Sequence, residues 1–292
     1  MSEPAAPLLL ALLGDPVSHS VSPAMHRAVL QAKGVEGMYL PVQVTGSDLH
    51  SAVRGLAVLG FRGANVTIPH KEHVLSMLDG VSGDARALGA VNTLVIEQER
   101  AEQPRVFGHN TDHLGFRFAL ERAGFHVRGT RAIVVGAGGA ARAAVFGLVR
   151  GGASEVVIMA RRSEQAEQII RDLETPATCL RQCEFDPNRL TQEAGDSALL
   201  VHATPIGMWP RIHESIWPEP RPIPSNLTVF DLVYTPLATK LTVLAQASGA
   251  STVSGLEMLI YQGAHSFRLW TGSEAPIEAM RTAARSALEE RT

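Results

Sequence analysis

Arg131-Ala-Ile-Val-Val-Gly136-Ala137-Gly138-Gly139-Ala140-Ala141 joins an apolar, β-rich run to a glycine turn and a run of small helix-forming residues. Gly136 suits the tight turn after a strand, and Gly138 leaves room for a pyrophosphate to approach the backbone. Ala141 is the third small residue, where the helix packs closely on the strand, and the helix N-terminus offers unpaired N–H groups to phosphate. The stretch therefore predicts a Rossmann-type dinucleotide site. The alternative is an ordinary tight turn between a strand and a helix.

The end of the next predicted strand indicates which dinucleotide is bound. An NAD site carries Asp or Glu about 20 residues further on, where the carboxylate binds the ribose 2′-hydroxyl, whereas NADP requires cations. Here Glu155–Met159 is followed by Ala160, Arg161, Arg162 and Ser163, without a carboxylate. A guanidinium group can donate two parallel hydrogen bonds to the oxygens of one phosphate. Cations at a helix start oppose the helix dipole unless an anion is also bound there. The Arg pair therefore favours NADP over the alternative of two solvated arginines.

Apolar runs alternate with amphipathic segments along almost the whole chain. Predicted strands are Leu8–Leu13, Met38–Val44, Gly63–Val66, Ala90–Ile96, Arg131–Val135, Glu155–Met159, Ala198–His202 and Leu227–Leu232. Predicted helices are Pro23–Lys33, Leu49–Leu59, Leu114–Ala123, Ala140–Arg150, Glu164–Leu173, Leu256–Trp270 and Pro276–Glu290. Such alternation predicts an α/β protein with a mostly parallel sheet covered by helices on both faces.

Composition narrows the class of protein. Hydrophobic residues make up 45% and charged residues 19% of the 292, which is typical of a packed globular chain. With a net charge of −3 and no basic run longer than Arg161-Arg162, the chain lacks the positive surface that nucleic acid requires. The apolar run Leu8–Leu13 is too short to span a bilayer. Cys179 and Cys183 lack nearby His residues, so we expect free thiols in a cytoplasmic protein without a metal site.

Polar side chains follow the predicted strands of the N-terminal half. Ser22 precedes Pro23 and is expected to be the N-cap of the first helix, with Ser20 pointing the same way in an extended segment. Ligands of open α/β sheets collect at the carboxyl ends of strands. One cleft is therefore expected to gather these residues around a small polar ligand, namely Ser20, Ser22, Thr67, Lys71, Asn92 and Asp112. Taken alone, Lys71 is better explained as a surface lysine.

A series of segments, in order and spacing, resembles the shikimate dehydrogenase family. These are His19–Pro23, Gly63–Glu72, Ala90–Thr93, Gly108–Asp112, Gly136–Ala140, Val233–Pro236 and Gly255–Gly263. The resemblance covers nearly the whole chain and implies the NADPH-dependent reduction of 3-dehydroshikimate to shikimate, a step towards chorismate and the aromatic amino acids. It also implies two domains: a substrate-binding domain, 1–112 plus 255–292, and a Rossmann NADP-binding domain, 113–254.

The same resemblance implies roles for individual residues. Ser20 and Ser22 would bind the substrate carboxylate, and Lys71 and Asp112 would be the catalytic pair. Thr67, Asn92 and Gln262 would bind the ring hydroxyls, and Tyr234 would close the site. The cofactor would be bound by Gly136, Ala137, Gly138, Gly139, Ala140, Ala160, Arg161, Arg162, Thr204 and Gly255.

The chain departs from the family pattern near the cofactor. Gln165 stands where the family often has a second basic residue, and Ala160 and Arg162 flank Arg161 where Asn and Thr are usual. His202 replaces a common Asn, and His113 replaces a small residue. Two rival functions follow. One is an NAD-dependent quinate/shikimate dehydrogenase, against which Ser22 and the missing carboxylate after Met159 argue. The other is a non-catalytic nucleotide-binding relative, against which the Lys71/Asp112 pair argues. A monomer or a homodimer is expected.

Overall fold

The computed structural model describes residues 6–98 and 103–290, and the chain forms two compact units. Unit 1 comprises residues 1–111 with 262–292, and unit 2 comprises residues 112–261. One division lies inside a continuous helix, Gly255–Thr271, between Tyr261 and Gln262. The domain boundaries expected from the sequence, at 112/113 and 254/255, therefore stay predictions.

Unit 1 is built on a mixed sheet with helices between its strands. Its elements are β1 (Leu8–Gly14), α1 (Ser22–Ala32), β2 (Gly37–Gln43), α2 (Leu49–Val58), β3 (Gly63–Val66), a 3₁₀ helix (His73–Met77), β4 (Gly80–Val81), α3 (Gly83–Leu88), β5 (Thr93–Glu97) and β6 (Arg105–His109). After unit 2 the chain returns through the second half of α9 (Gly255–Thr271) and α10 (Ile277–Glu289), which packs on α1.

The strand order in unit 1, β2-β1-β3-β5-β6-β4, decides where its polar residues gather. β1 is parallel to β2 and β3, whereas β5 is antiparallel to β3 and to β6. The beginning of β5 therefore lies beside the end of β3, with Thr93 opposite Asn65. β6 runs antiparallel to β5, with His109 opposite Thr93. The end of β6 therefore lies beside the start of β5, at the same end of the sheet as the end of β3.

Unit 2 is a parallel sheet in the doubly wound order β12-β11-β10-β7-β8-β9. Its elements are α4 (Asp112–Arg122), β7 (Arg131–Val135), α5 (Gly139–Gly151), β8 (Glu155–Ala160), α6 (Ser163–Leu173), β9 (Cys179–Glu184), α7 (Pro187–Gly195), β10 (Leu199–His202), β11 (Thr228–Asp231), α8 (Lys240–Ala247) and β12 (Ser251–Ser254). The order reverses between β7 and β10, the switch point at which such sheets bind ligands. Both units thus confirm the predicted α/β class.

Strands missing from the sequence prediction lie at or beside the sheet edges. β4, β9 and β12 are edge strands, and β6 is the neighbour of β4. An edge strand buries fewer side chains, so β9 (Cys-Leu-Arg-Gln-Cys-Glu) and β12 (Ser-Thr-Val-Ser) show neither an apolar run nor strict alternation. The predicted start of β5 at Ala90 was also wrong, because Ala90 and Val91 donate their N–H groups to Ala85 and Lys71 outside the ladder.

A buried histidine in the unit 1 core couples the stability of the fold to pH. His26, on α1, is fully buried and stacks on Tyr39 with ring centroids 4.3 Å apart. Within residues 6–98 and 103–290, neither ring nitrogen has a hydrogen-bond partner. Burial lowers the pKa of His26 from 6.5 to about 3, because the charged ring would lose its hydration without gaining a partner.

We expect His26→Phe to make the protein more resistant to acid. Between pH 6.5 and 3 the unfolded chain binds a proton at His26 that the folded chain does not. The free energy of unfolding therefore falls by up to about 1.4 kcal/mol per pH unit as the pH drops through this window. Phenylalanine retains the stacking and removes this loss. Urea unfolding at pH 7.5 and 5 measures it, with His50→Phe on the exposed face of α2 as the control. Equal pH dependence in His26→Phe and wild type would contradict the assignment.

Candidate active site

Two serines meet at the start of α1, in a geometry different from the predicted one. The helix begins at Ser22, with Val21 at the cap position, so the prediction of Ser22 as N-cap was wrong. Ser20 lies in a turn rather than an extended segment, since its N–H donates to the Val17 carbonyl at 3.1 Å. Its hydroxyl accepts the Ser22 N–H at 3.2 Å. The turn brings the half-buried Ser20 and the buried Ser22 together at the positive end of the helix dipole.

Backbone hydrogen bonds fix the segment that follows β3. The Thr67 N–H donates to Leu13 at 2.8 Å, which ties the segment to β1. His70 is buried, and its Nε2 lies 2.6 Å from the Val44 carbonyl oxygen. The Lys71 carbonyl accepts the Val91 N–H at 2.8 Å. The backbone of Lys71 is therefore anchored, and its side chain is half-buried rather than fully solvated as on an ordinary surface.

Asn92 and Gln262 belong to a buried network in unit 1. Asn92 Nδ2 donates to Thr111 Oγ1 at 2.9 Å and to Gln262 Oε1 at 3.1 Å, and Asn92 Oδ1 accepts the Thr111 N–H at 2.7 Å. Behind it, Ser266 Oγ lies 2.8 Å from Thr93 Oγ1. Asn92 was expected after a strand but precedes β5. It still reaches this edge because β5 runs antiparallel to β3.

Asp112 and Tyr234 belong to unit 2. Asp112 is the first residue of α4, is 9% exposed, and directly follows Thr111 of the buried network. Tyr234 follows β11 and is half-buried. The interpretation of Lys71 and Asp112 as a pair therefore stays a prediction.

The glycine turn has the geometry that a phosphate site requires. Gly136 has φ +121°, and a Cβ there would lie 2.7 Å from the Ala203 carbonyl oxygen, so no other residue fits without strain. Gly138 is the cap residue of α5, and Gly139 is its first residue. A Cβ at Gly138 or Gly139 would meet nothing within 4 Å, and residues 138–140 are exposed beside the half-buried Ala137. The N-terminus of α5 therefore presents its N–H groups to an open surface, which fits a pyrophosphate.

Arg161 lines a cavity of about 600 Å³ beyond the end of β8. The cavity is lined by Ala160, Arg161, Ser163, Arg181, Gln182, Cys183, Glu184 and Arg189. Arg181 is already neutralised, because it pairs with Glu155 at 3.2 Å and with Glu193 at 2.8 Å. Arg161 and Arg162 are exposed at the start of α6, as a 2′-phosphate site would need.

The carboxyl ends of β10 and β11 carry a hydrogen-bonded chain in unit 2. His202 Nδ1 lies 2.9 Å from Asp231 Oδ1, and His202 Nε2 lies 2.6 Å from Thr204 Oγ1. Gly255, the first residue of α9, packs against the Leu232 carbonyl, where a Cβ would collide. Thr204 and Gly255 thus both follow strands of the unit 2 sheet, as expected of cofactor-binding residues.

Sequence reasoning missed several members of these clusters. Thr111 stands inside the quoted segment Gly108–Asp112, so its hydroxyl could have been proposed beside Asp112. The pairing of His202 with Asp231 had no sequence signal, because the two residues are 29 apart and meet only through the alignment of β10 and β11.

Across residues 6–98 and 103–290, no three His, Cys, Asp or Glu side chains lie together as metal ligands. In the same ranges, no helix is both long enough and apolar enough to span a membrane.

Two family models match separate segments of this chain, and known proteins match it over most of its length. Residues 12–94 match the shikimate dehydrogenase substrate binding domain, and residues 255–285 match the shikimate 5'-dehydrogenase C-terminal domain. The shikimate dehydrogenase (NADP(+)) of Moorella thermoacetica is 44% identical, over 96% of this chain and 93% of that protein.

Solved structures give the same result. Shikimate 5-dehydrogenase from Thermus thermophilus, in complex with NADP(H) and shikimate, matches with a TM-score of 0.84 and 38% identity, covering 96% of this chain and 99% of that one. A quinate dehydrogenase from Corynebacterium glutamicum in complex with NAD matches with a TM-score of 0.86 and 31% identity, over 96% and 99% of the two chains. With relatives above 40% identity over nearly its full length, the chain belongs to the shikimate dehydrogenase family.

Proposed function

We propose that the chain catalyses the reversible NADPH-dependent reduction of 3-dehydroshikimate to shikimate. The observation that carries this proposal is the buried network of Asn92, Thr111 and Gln262, which orients amide groups at the sheet edge that also carries Lys71. Oriented amides and hydroxyls of this kind recognise a polyhydroxylated ring. The open glycine turn of unit 2 supplies the dinucleotide surface that the reaction needs.

Lys71 is the proposed acid-base group. NADPH, when bound, supplies the hydride that reduces the ketone. Negative charge then grows on the carbonyl oxygen, and the Lys71 ammonium stabilises it and donates the proton. In the direction of oxidation the same amine accepts the hydroxyl proton. Asp112 is proposed to accept a hydrogen bond from the neighbouring substrate hydroxyl.

The remaining predicted residues bind and orient the substrate. The Ser20 and Ser22 hydroxyls bind its carboxylate at the N-terminus of α1, where the helix dipole favours an anion. Thr67, Asn92 and Gln262 bind the ring hydroxyls, and Tyr234 closes the site.

The cofactor residues follow the surface of unit 2. Gly136, Ala137, Gly138, Gly139 and Ala140 hold the pyrophosphate, and Thr204 and Gly255 lie on the nicotinamide side. Ala160, Arg161 and Arg162 hold the 2′-phosphate.

We expect Arg161→Gln to raise KM for NADPH by about 10–100-fold and to leave KM for NADH almost unchanged. A hydrogen bond between charged groups contributes about 1.5–3 kcal/mol, and each 1.4 kcal/mol is tenfold in affinity. Only NADPH carries the 2′-phosphate, so only its affinity falls. The matched control is Arg171→Gln at the other end of α6, where the arginine side chain is 59% exposed. A similar loss with both cofactors would place Arg161 elsewhere than on the phosphate.

Initial rates with shikimate and quinate, each with NADP and NAD, test the whole proposal. We expect turnover of shikimate with NADP to exceed the other three combinations. A preference for quinate and NAD would instead favour the rival dehydrogenase, and binding of NADPH without turnover would favour a non-catalytic relative. A cytoplasmic location and a monomeric or homodimeric state remain predictions from the sequence.

A further inference from the structure

The hydroxyl of Thr204 is held by a buried histidine–aspartate pair. His202 and Asp231 are each 1% exposed. Asp231 Oδ1 accepts the Val233 N–H at 3.0 Å and faces His202 Nδ1 at 2.9 Å, while Oδ2 accepts the Thr239 hydroxyl at 2.6 Å. Thr239 in turn caps α8 by accepting the Thr242 N–H. The pair is therefore fixed by the ends of β10 and β11 and by the start of α8.

With the His202 ring neutral, these contacts determine the direction of the Thr204 hydrogen bond. An ionised carboxylate only accepts, so His202 Nδ1 must carry the proton that faces Asp231. In the neutral ring Nε2 is then an acceptor, and the Thr204 hydroxyl, 2.6 Å away, donates to it. A hydroxyl oxygen has two lone pairs, and the Ile206 N–H occupies one at 3.3 Å. Thr204 is half-buried, so the second lone pair is available to accept a hydrogen bond from a ligand.

The position of Thr204 identifies the ligand group. Its methyl would lie 3.4 Å from a Cβ at Gly136, so the residue borders the glycine turn. In a doubly wound sheet the dinucleotide crosses the switch point, with its two halves on opposite sides. Arg161, proposed to bind the 2′-phosphate of the adenosine half, follows β8, on one side of β7. Thr204 follows β10, on the other side of β7, which is the side expected for the nicotinamide half.

We propose that His202 and Asp231 are positioning residues that make Thr204 an obligate acceptor for an N–H or O–H group of the nicotinamide riboside. The inference rests on the proposed function, and it assigns a role to the histidine that replaces the asparagine common in the family. The nicotinamide riboside offers two kinds of hydrogen-bond donor, the carboxamide N–H₂ and the ribose hydroxyls.

Binding titrations with two ligands test the proposal. Adenosine 2′,5′-bisphosphate contains the adenosine half alone, whereas NADPH contains both halves. Thr204→Val is expected to weaken NADPH binding about three- to tenfold, as for one lost hydrogen bond, and to leave bisphosphate binding unchanged. Thr204→Ser, which keeps the hydroxyl, is expected to bind NADPH nearly as the wild type does. Unchanged NADPH binding in Thr204→Val, or equal weakening of both ligands, would overturn the proposal.

A second variant tests the action of His202 through Thr204. His202→Leu, checked for folding by its bisphosphate affinity, is expected to weaken NADPH binding by a smaller factor than Thr204→Val, because Thr204 keeps its hydroxyl and loses only its fixed orientation. The double variant is expected to lose no more than Thr204→Val alone, because without the Thr204 hydroxyl the histidine has no group to orient. Additive losses would overturn the positioning role. If His202→Leu does not fold, the Thr204 pair of variants still decides whether Thr204 accepts a hydrogen bond from the nicotinamide half.

An analogue of NADPH identifies the donor. The reduced 3-acetylpyridine analogue carries a methyl ketone in place of the carboxamide. Equal binding of this analogue to wild type and Thr204→Val assigns the bond to the carboxamide, and a retained loss assigns it to a ribose hydroxyl. Wild-type protein that binds neither NADPH nor the bisphosphate would overturn the proposed function itself, a result separate from any difference between variants.

Discussion

Lys71→Ala is expected to lower kcat by about 10²–10⁴-fold, with little change in KM for shikimate. The proposed substrate contacts are made by Ser20, Ser22 and the Asn92 network, which the substitution leaves in place. The ammonium is needed only as charge develops on the carbonyl oxygen, so its removal raises the barrier without weakening the ground state. Steady-state kinetics in both directions, together with NADPH titration to establish that the cofactor still binds, measure the effect.

Two further lysine variants sharpen this test. Lys33→Ala is the matched control in the same unit, since its ammonium donates to the Glu274 carbonyl at 2.9 Å, away from the predicted site residues. Lys71→Arg keeps the positive charge but supplies a group that does not release its proton in proteins. A low kcat in Lys71→Arg would assign the main contribution to proton transfer, and substantial recovery would assign it to charge. Near-normal kcat in Lys71→Ala would remove Lys71 from the mechanism.

The parts of this fold that are predictable from sequence are those in which local pattern and burial agree. The run from Arg131 to Ala141 predicted β7, its turn and α5, because a central strand is apolar throughout and a positive φ requires glycine. The edge strands β9 and β12 were missed for the opposite reason. Their residues are held by pairing with β8 and β11, and the side chains alone carry no signal of it.

In the candidate site, too, local sequence pattern predicted some features, whereas strand pairing decided others. Ser20, Ser22 and Lys71 were proposed because each lies in the loop or turn that comes after a strand. Their roles stay predictions, and the expected cap geometry of Ser22 was wrong. The direction of β5 was not predictable, and it is what places Asn92 at the polar edge. His202 and Asp231 meet because β10 and β11 are neighbours in the sheet. The residues around each of them in the sequence do not show which strands will be neighbours.

Gly138→Asp is expected to raise KM for NADPH by more than about 100-fold without destabilising the fold. Gly138 has φ −88° and ψ −173°, which any residue adopts, and a Cβ there meets nothing within 4 Å. Asp is a preferred N-cap residue, so the free energy of unfolding is expected to stay equal or to rise by a few tenths of a kcal/mol. Its carboxylate would occupy the N–H groups proposed for the pyrophosphate and repel it, and such like-charge contacts cost several kcal/mol. NADPH titration and thermal unfolding, performed on the same preparation, separate the two effects.

Two control variants are informative. One separates the effect of the added charge from that of the added side-chain volume, and the other compares the proposed phosphate site with an unrelated helix start. Gly138→Ala adds the Cβ alone and is expected to weaken NADPH binding far less than Gly138→Asp. Gly83→Asp places the same charge at the start of α3 in unit 1, where a Cβ also meets nothing within 4 Å, and is expected to leave cofactor binding unchanged. If Gly138→Asp bound NADPH as tightly as the wild type, the pyrophosphate could not lie at the N-terminus of α5. The interpretation of the glycine turn as a dinucleotide site would then be wrong, since an ordinary tight turn tolerates a carboxylate at its cap.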